Sequence, residues 1–320
     1  MKNKNGVMSV KAIIEKITEQ IQEGIYPGAS LALYRKGQWS EHYLGLADPE
    51  KGESVVADLV YDLASVSKVV GVATICAFLY AKGELALDRP FKELYPRFAH
   101  EKTTIRELLT HTSGLDPFIP NRDQLDARQL KTALENLQLK EDKSFHYTDV
   151  NFLLLGFWLE DRFHQPLDRL FEELIFTPWK MTETRFGPVE KAVPTVRGLA
   201  SGSVHDPKAR VLGCHAGSAG LFSTVADLER FLEHYLKDDF ARDLSQNFAR
   251  EEGKTRALGW NLEGDWLDHT GYTGTFIMYN RKRQEAVIFL SNRTYEKDER
   301  AQWILDRNSL MDLIKQECEK

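Results

Sequence analysis

The stretch DLASVSKVVGVATICAFLYAKG, residues 62–83, places Asp62, Ser65, Ser67 and Lys68 ahead of a run that is almost wholly apolar or small through Tyr80. A run apolar on every face predicts a helix enclosed by a domain, not one lying on its surface. Gly83 follows the last turn as a C-cap. Lys68, at the foot of such a helix, needs a reason, because burying an ammonium is costly unless it is paired or loses its proton. Ser65 and Lys68 stand three residues apart, so a helix presents both on one face. A serine hydroxyl needs a neighbouring base to become a nucleophile. Burial that lowers the lysine pKa from about 10.4 towards 7–8 would supply that base. Asp62 reads as the N-cap, leaving the Ser65 N–H free to donate to a developing oxyanion.

Working outward, 320 residues with 42% hydrophobic and 28% charged side chains suit one large or two moderate globular domains. A formal net charge of −6 and the lack of a basic run give no reason to expect a nucleic-acid or anionic-membrane partner. MKNKNGVMSVKAIIEKITEQ reads as an amphipathic helix with Val10, Ile13, Ile14, Ile17 and Ile21 at helical spacing, not as a signal peptide. The central helix is expected to be too short, and too marked by Lys68, to span a membrane. Cys76, Cys214 and Cys318 are odd in number and far apart, which suits free thiols and a cytoplasmic location.

SLALYRKGQWSEHYLGLAD predicts a hairpin turning at Lys36-Gly37. Residues 63–180 are mainly helical in pattern, and residues 181–225, rich in Gly, Pro, Ser and Thr, read as connecting loops. VADLERFLEHYLKDD restores a helix. ALGWNLEG, WLDHTG, GTFIMYNR and EAVIFLSN then alternate as strands, with turns at Gly264-Asp265 and Arg281-Lys282, before a last helix over about 299–317. The expected fold is α+β. Residues 1–62 and 226–320 form one antiparallel sheet flanked by the terminal helices, and an all-helical domain, 63–180, is inserted between them.

Two further stretches join the Ser65 pair. Tyr147, in FHYTD (145–149), precedes the apolar helix VNFLLLGFWLE, where a tyrosine flanked by cations can act as a general base. Asp149 reads first as the N-cap of that helix. His269-Thr270-Gly271 ends a strand. Gly271 lets a substrate backbone approach, Thr270 can hold a carboxylate or amide, and the Tyr272 N–H can be the second oxyanion donor. His111 in HTSGL follows a helical pattern and reads as a helix-ending turn. His215 and His205-Asp206 lack the spacing of a metal site, and no cofactor motif matches.

Together, Ser65-Val-Ser-Lys68, Tyr147-Thr-Asp149 and His269-Thr-Gly271, in that order, resemble the serine family of penicillin-binding proteins, class C β-lactamases and related esterases and D-amino-acid peptidases. HTSGL (111–115), YTDVNFLLLG (147–156), VHDPKARVLGCHAGSAGLFSTVADL (204–228) and HTGYTGT (269–275) extend the likeness over nearly the whole chain. The resemblance implies Ser65 as acylated nucleophile and Lys68 as its proton acceptor. Tyr147 would protonate the leaving group and then activate water. The Ser65 and Tyr272 N–H groups would form the oxyanion hole, while His269 and Thr270 orient the substrate.

Asp149 stands where many members carry asparagine, and an ionised carboxylate cannot donate to an acylamino carbonyl. His269 replaces the usual lysine. Both departures favour an esterase or peptidase acting on a small ester, amide or D-amino-acid peptide. The alternatives are a D-alanyl-D-alanine carboxypeptidase, a weak β-lactamase, or a non-hydrolytic penicillin-binding or sensor protein.

Overall fold

The computed structural model describes residues 10–250 and 253–319. Among the described residues, ten strands form two sheets. The larger contains β1 (Gly28–Arg35), β2 (Gln38–Asp48), β3 (Glu53–Ser54), β7 (Asn261–Glu263), β8 (Trp266–Thr270), β9 (Phe276–Asn280) and β10 (Glu285–Ser291). Its antiparallel order is β3-β2-β1-β10-β9-β8-β7. The β1–β2 turn falls at Lys36 and Gly37, both at positive φ, as the two-residue hairpin requires. In the middle of the sheet β1 pairs with β10, Leu31 opposite Phe289, so strands from the two ends of the sequence form one layer.

Period-two alternation sorts the side chains of this sheet. Ala29, Leu31, Leu33, Phe276, Met278, Val287 and Phe289 pack on one face with Ile13 and Ile17 of α1 (Val10–Gln22) and Trp303, Leu310 and Ile314 of α10 (Arg300–Cys318). Ala32, Tyr34, Ile277, Tyr279, Ala286 and Ile288 face the helical block. The N-terminal part of the first sequence helix, residues 1–9, lies outside the described residues.

The helical block holds α2 (Thr74–Ala81), α3 (Phe91–Leu94), α4 (Ile105–Thr110), α5 (Ala127–Glu135), α6 (Val150–Phe163) and α7 (Leu167–Phe171). The stretch expected to be only loops also carries α8 (Pro207–Leu212) and two strands. β5 (Arg185–Phe186) and β6 (Leu221–Ser223) join β4 (Tyr61–Asp62) in a small sheet ordered β4-β6-β5. After it, α9 (Val225–Lys237) packs on the large sheet.

One expectation needs correcting. The helical run Ala64–Ala81, at 18 residues, is long and apolar enough to cross a membrane by length and composition, but 78% of it is buried inside the protein. Its apolar faces are covered by neighbouring elements, as those of an internal helix must be.

Candidate active site

The run from Ala64 to Ala81 is three kinds of helix, not one. A 3-10 turn over Ala64–Val66 carries Ser65, a π turn spans Val69–Ala73, and α2 follows. The π turn lets the Thr74 hydroxyl reach back to the Val69 carbonyl at 2.6 Å, and it brings Gly71 so close to Phe171 that a Cβ would sit 2.4 Å from the ring. Asp62 binds earlier than a helix N-cap would. Its carboxylate accepts from Ala64 N and His205 N, both at 2.7 Å, and fixes Ala64 at φ +46° just before Ser65.

Lys68 is wholly buried, as the sequence requires, but it is not left to lose its proton. Its Nζ donates to Ser65 Oγ (2.9 Å), to Asp149 Oδ1 (2.8 Å) and to the Ser218 carbonyl (3.0 Å). Burial pulls its pKa down, but the Asp149 carboxylate and the Tyr147 phenol more than offset it, leaving the net shift upward. The neutral lysine expected from burial is therefore corrected. Lys68 rests as an ammonium, because a carboxylate follows it into the interior.

That carboxylate is also not the cap it was expected to be. Asp149 makes no side-chain cap bond to α6, and the Thr148 hydroxyl accepts from Val150 N instead. Asp149 lies between two cations, with Oδ1 on Lys68 and Oδ2 3.3 Å from Lys208 Nζ at the start of α8. Burial pushes its pKa up, but the two lysines hold it well below the usual carboxylate range.

Tyr147 is half-exposed, and its ring centroid lies 5.1 Å from Lys68 Nζ. Beneath it packs His111, ring centroids 4.6 Å apart. His111 does end α4 in a left-handed turn (φ +58°), as expected, but it also builds the site. Its Nδ1 accepts from Thr148 N (3.4 Å) and lies 3.2 Å from Asn151 Nδ2, fixing the loop that presents Tyr147 and Asp149. Arg256, fully buried, is electrostatically coupled to Tyr147 and donates to the Gly259 carbonyl at 3.1 Å.

Strand parity separates the residues of the histidine motif. Leu267 and His269 face the helical block, and the His269 ring stands 6.1 Å from that of Tyr147. Burial, with Lys68 and Arg256 nearby, lowers its pKa well below the usual histidine value, so the ring is neutral. Its Nδ1 lies 3.1 Å from the Thr270 carbonyl, which makes Nδ1 the donor, and the buried Nε2 has no partner among the described residues. Thr270 points the other way. It lines a polar depression of about 300 Å³ with Lys254, Arg307 and Asn308, and it is not part of the wall around Ser65.

Gly271 is required by the protein itself. A Cβ there would sit 2.1 Å from Thr275 Oγ1 and 2.6 Å from the Leu63 carbonyl. Tyr272 follows, and its N–H has no hydrogen-bond partner among the described residues.

Ser65, Tyr147, Asp149, Lys208 and Tyr272 all line one cleft of about 510 Å³, beside His205, Arg122 and Arg300. The structure thus brings together Ser65, Lys68, Tyr147, Asp149 and the Tyr272 turn. His111, Lys208 and Arg256 were missed. The helix-ending pattern of HTSGL marks the first, Lys208 lies unremarked in the family-like stretch 204–228, and nothing local marks Arg256. The His205 ring lies tilted against that of Tyr272 (5.5 Å between centroids), while His215 pairs with Glu160 at 2.5 Å.

A profile of the beta-lactamase family matches residues 13–310, and the chain belongs to that family. It is 28% identical to the Escherichia coli (strain K12) protein named "Putative D-alanyl-D-alanine carboxypeptidase", over 87% of this chain and 81% of that one. Its fold is similar to a "Beta-Lactamase/D-Alanine Carboxypeptidase from Pseudomonas syringae" (TM-score 0.77, 20% identity, 96% and 98% of the two chains). It is also similar to "EstCE1, a hydrolase with promiscuous acyltransferase activity" (TM-score 0.76, 19% identity, 95% and 97%). Family and fold support a β-lactamase-related enzyme of serine-hydrolase type.

Proposed function

We propose that the chain hydrolyses a small ester, amide or D-amino-acid peptide through an acyl-enzyme at Ser65. The observation that carries this is the bond from the buried Lys68 ammonium to Ser65 Oγ at 2.9 Å, in a cleft shared with Tyr147. An ammonium has no lone pair to take the serine proton, so the base role falls to the Tyr147 oxygen, which the step requires to be deprotonated as Ser65 attacks. Ser65 Oγ attacks the carbonyl carbon, its proton moves to the Tyr147 oxygen, and the carbonyl electron pair becomes an oxyanion facing the Ser65 and Tyr272 N–H groups. Tyr147 then returns the proton to the leaving oxygen or nitrogen as that bond breaks. In the second half Tyr147 takes a proton from water, whose oxygen attacks the acyl carbon. Tyr147 passes that proton to Ser65 Oγ as the acyl carbon–oxygen bond breaks and the acid departs. Throughout, Lys68 donates to Ser65 Oγ and stabilises its developing charge.

Asp149 is held by two lysines and offers a substrate no amide donor, which favours esters and peptides over β-lactams. The names of the relatives support a peptide with a D-alanyl terminus as one substrate to try. We place the enzyme in the cytoplasm as part of the same proposal. Cys76 and Cys214 are free thiols, which fits a reducing compartment.

Turnover of a p-nitrophenyl ester is expected in the wild type, with a fluorophosphonate adduct by intact mass that Ser65→Ala loses. Tyr147→Phe should lower kcat at least about 10²-fold. An adduct retained by the alanine variant, or a single stoichiometric burst in place of turnover, overturns the proposal.

A further inference from the structure

The turn that carries Tyr272 is held from behind by one buried arginine. Arg293, just past the end of β10, is 2% exposed. Its Nε donates to the Tyr272 carbonyl at 2.8 Å, and its backbone N–H donates to the Thr273 carbonyl at 2.9 Å. Its Nη1 binds Asp298, and the other oxygen of Asp298 accepts from the Tyr272 hydroxyl. The guanidinium carbon lies 4.6 Å from the centre of the Tyr272 ring. Both the backbone and the side chain of Tyr272 are therefore tied to a single rigid fork.

The motif makes room for this arrangement. Gly274, at φ +110°, would place a Cβ 2.8 Å from Arg293 Cγ. The same turn is fastened to the serine side of the cleft. Thr273 Oγ1 donates to the Asp62 carbonyl (2.9 Å) and Thr275 Oγ1 to the Leu63 carbonyl (3.1 Å), one turn ahead of Ser65. The Gly271 carbonyl, in the same peptide unit as the Tyr272 N–H, accepts from Gly274 N at 3.2 Å and so polarises that donor.

We propose that Arg293 is the positioning residue of the oxyanion hole, fixing the Tyr272 N–H relative to Ser65 while touching no substrate itself. The inference rests on the hydrolase reading above. An oxyanion donor contributes only when it is aimed at the place where charge develops, and a donor that wanders loses most of its effect. Lysine at 293 keeps a charge but not the fork, since one ammonium cannot serve the Tyr272 carbonyl, the Asp298 carboxylate and the ring face in that geometry.

The test compares wild type, Arg293→Lys and Asp298→Asn on a p-nitrophenyl ester, with the affinity of phenylboronic acid as second readout. The boronate forms a tetrahedral adduct on serine and reports the hole directly. For Arg293→Lys the expected result is a kcat lower by about 10–100-fold, below the loss from deleting a donor outright. KM should change less than about threefold, and boronate affinity should fall in proportion to kcat/KM. Asp298→Asn should show the same pattern, weaker. A wild type with no Ser65-dependent turnover overturns the hydrolase reading and this inference with it. A wild type that turns over, beside a folded Arg293→Lys with the same kcat and boronate affinity, overturns the inference alone.

Discussion

Replacing Asp149 with asparagine removes the carboxylate that accompanies Lys68 into the interior. Lys68 has no exposed surface and keeps two acceptors, Ser65 Oγ and the Ser218 carbonyl. Removing one partner of a buried pair typically costs about 3–5 kcal/mol. A quarter of the Asp149 side chain reaches solvent, so the lower end, about 3 kcal/mol, is expected near pH 6. The pH dependence carries the sharper signature. In the wild type the folded pKa of Lys68 is raised, so its contribution is complete below the unfolded value of about 10.4 and does not vary from pH 6 to 9. In the variant only the Tyr147 phenol still opposes burial, and the folded pKa is expected to fall below the unfolded one. The unfolded chain then binds more protons in that window, and stability should rise with pH by up to ~1.4 kcal/mol per unit. Urea unfolding at about pH 6, 7.5 and 9 measures this. The Lys68→Met/Asp149→Leu double variant should recover much of the loss, since the buried ammonium leaves together with its carboxylate and only the Lys208 pair is lost. A deficit under about 1 kcal/mol that ignores pH would refute the buried ion pair.

Two further outcomes follow from the geometry. Gly271→Ala forces a methyl against Thr275 Oγ1 and the Leu63 carbonyl, so it should destabilise by about 1–3 kcal/mol and lower kcat at least tenfold as the Tyr272 turn shifts. Thermal melts and ester turnover read both effects, and a folded variant with parental kcat would sink this account of the glycine. His111 and His269 are held neutral by burial, so the unfolded chain binds more protons just below the ordinary value of about 6.5. Stability is complete above that value and should fall on acidification by up to ~2.8 kcal/mol per unit for the pair. His269→Asn should roughly halve the slope between about pH 6.5 and 5, and an unchanged slope would mean its ring is not the titrating group.

The layers of the fold are legible because they depend on local period. Ala29, Leu31 and Leu33 alternate with Ala32 and Tyr34, and each set finds its own core. The three motifs could be found in order for the same reason: each is a short run with its own helix or strand context. What failed was choosing between meanings that look alike in one dimension. An aspartate before an apolar helix reads as a cap, yet Asp149 answers a lysine 81 residues away. His269 and Thr270 are neighbours in the motif, yet a strand's own alternation turns them to opposite faces. Lys208, inside the family-like stretch 204–228, and Arg293 do not stand out in one dimension, since each matters only through a partner brought up by folding.

The pairing of β1 with β10 also bears on how the chain is made. β1 is an apolar strand with almost every side chain buried in the finished sheet, and β2 covers only one of its edges. The strand that covers the other edge is translated about 250 residues later, which at about 5–20 residues per second leaves that edge open for roughly 12–50 s. During that interval the hairpin offers unpaired backbone to any neighbouring nascent chain. Heterologous production is therefore expected to yield more soluble protein when synthesis is slowed less than folding, or when a chaperone shields the first strand until the last arrives.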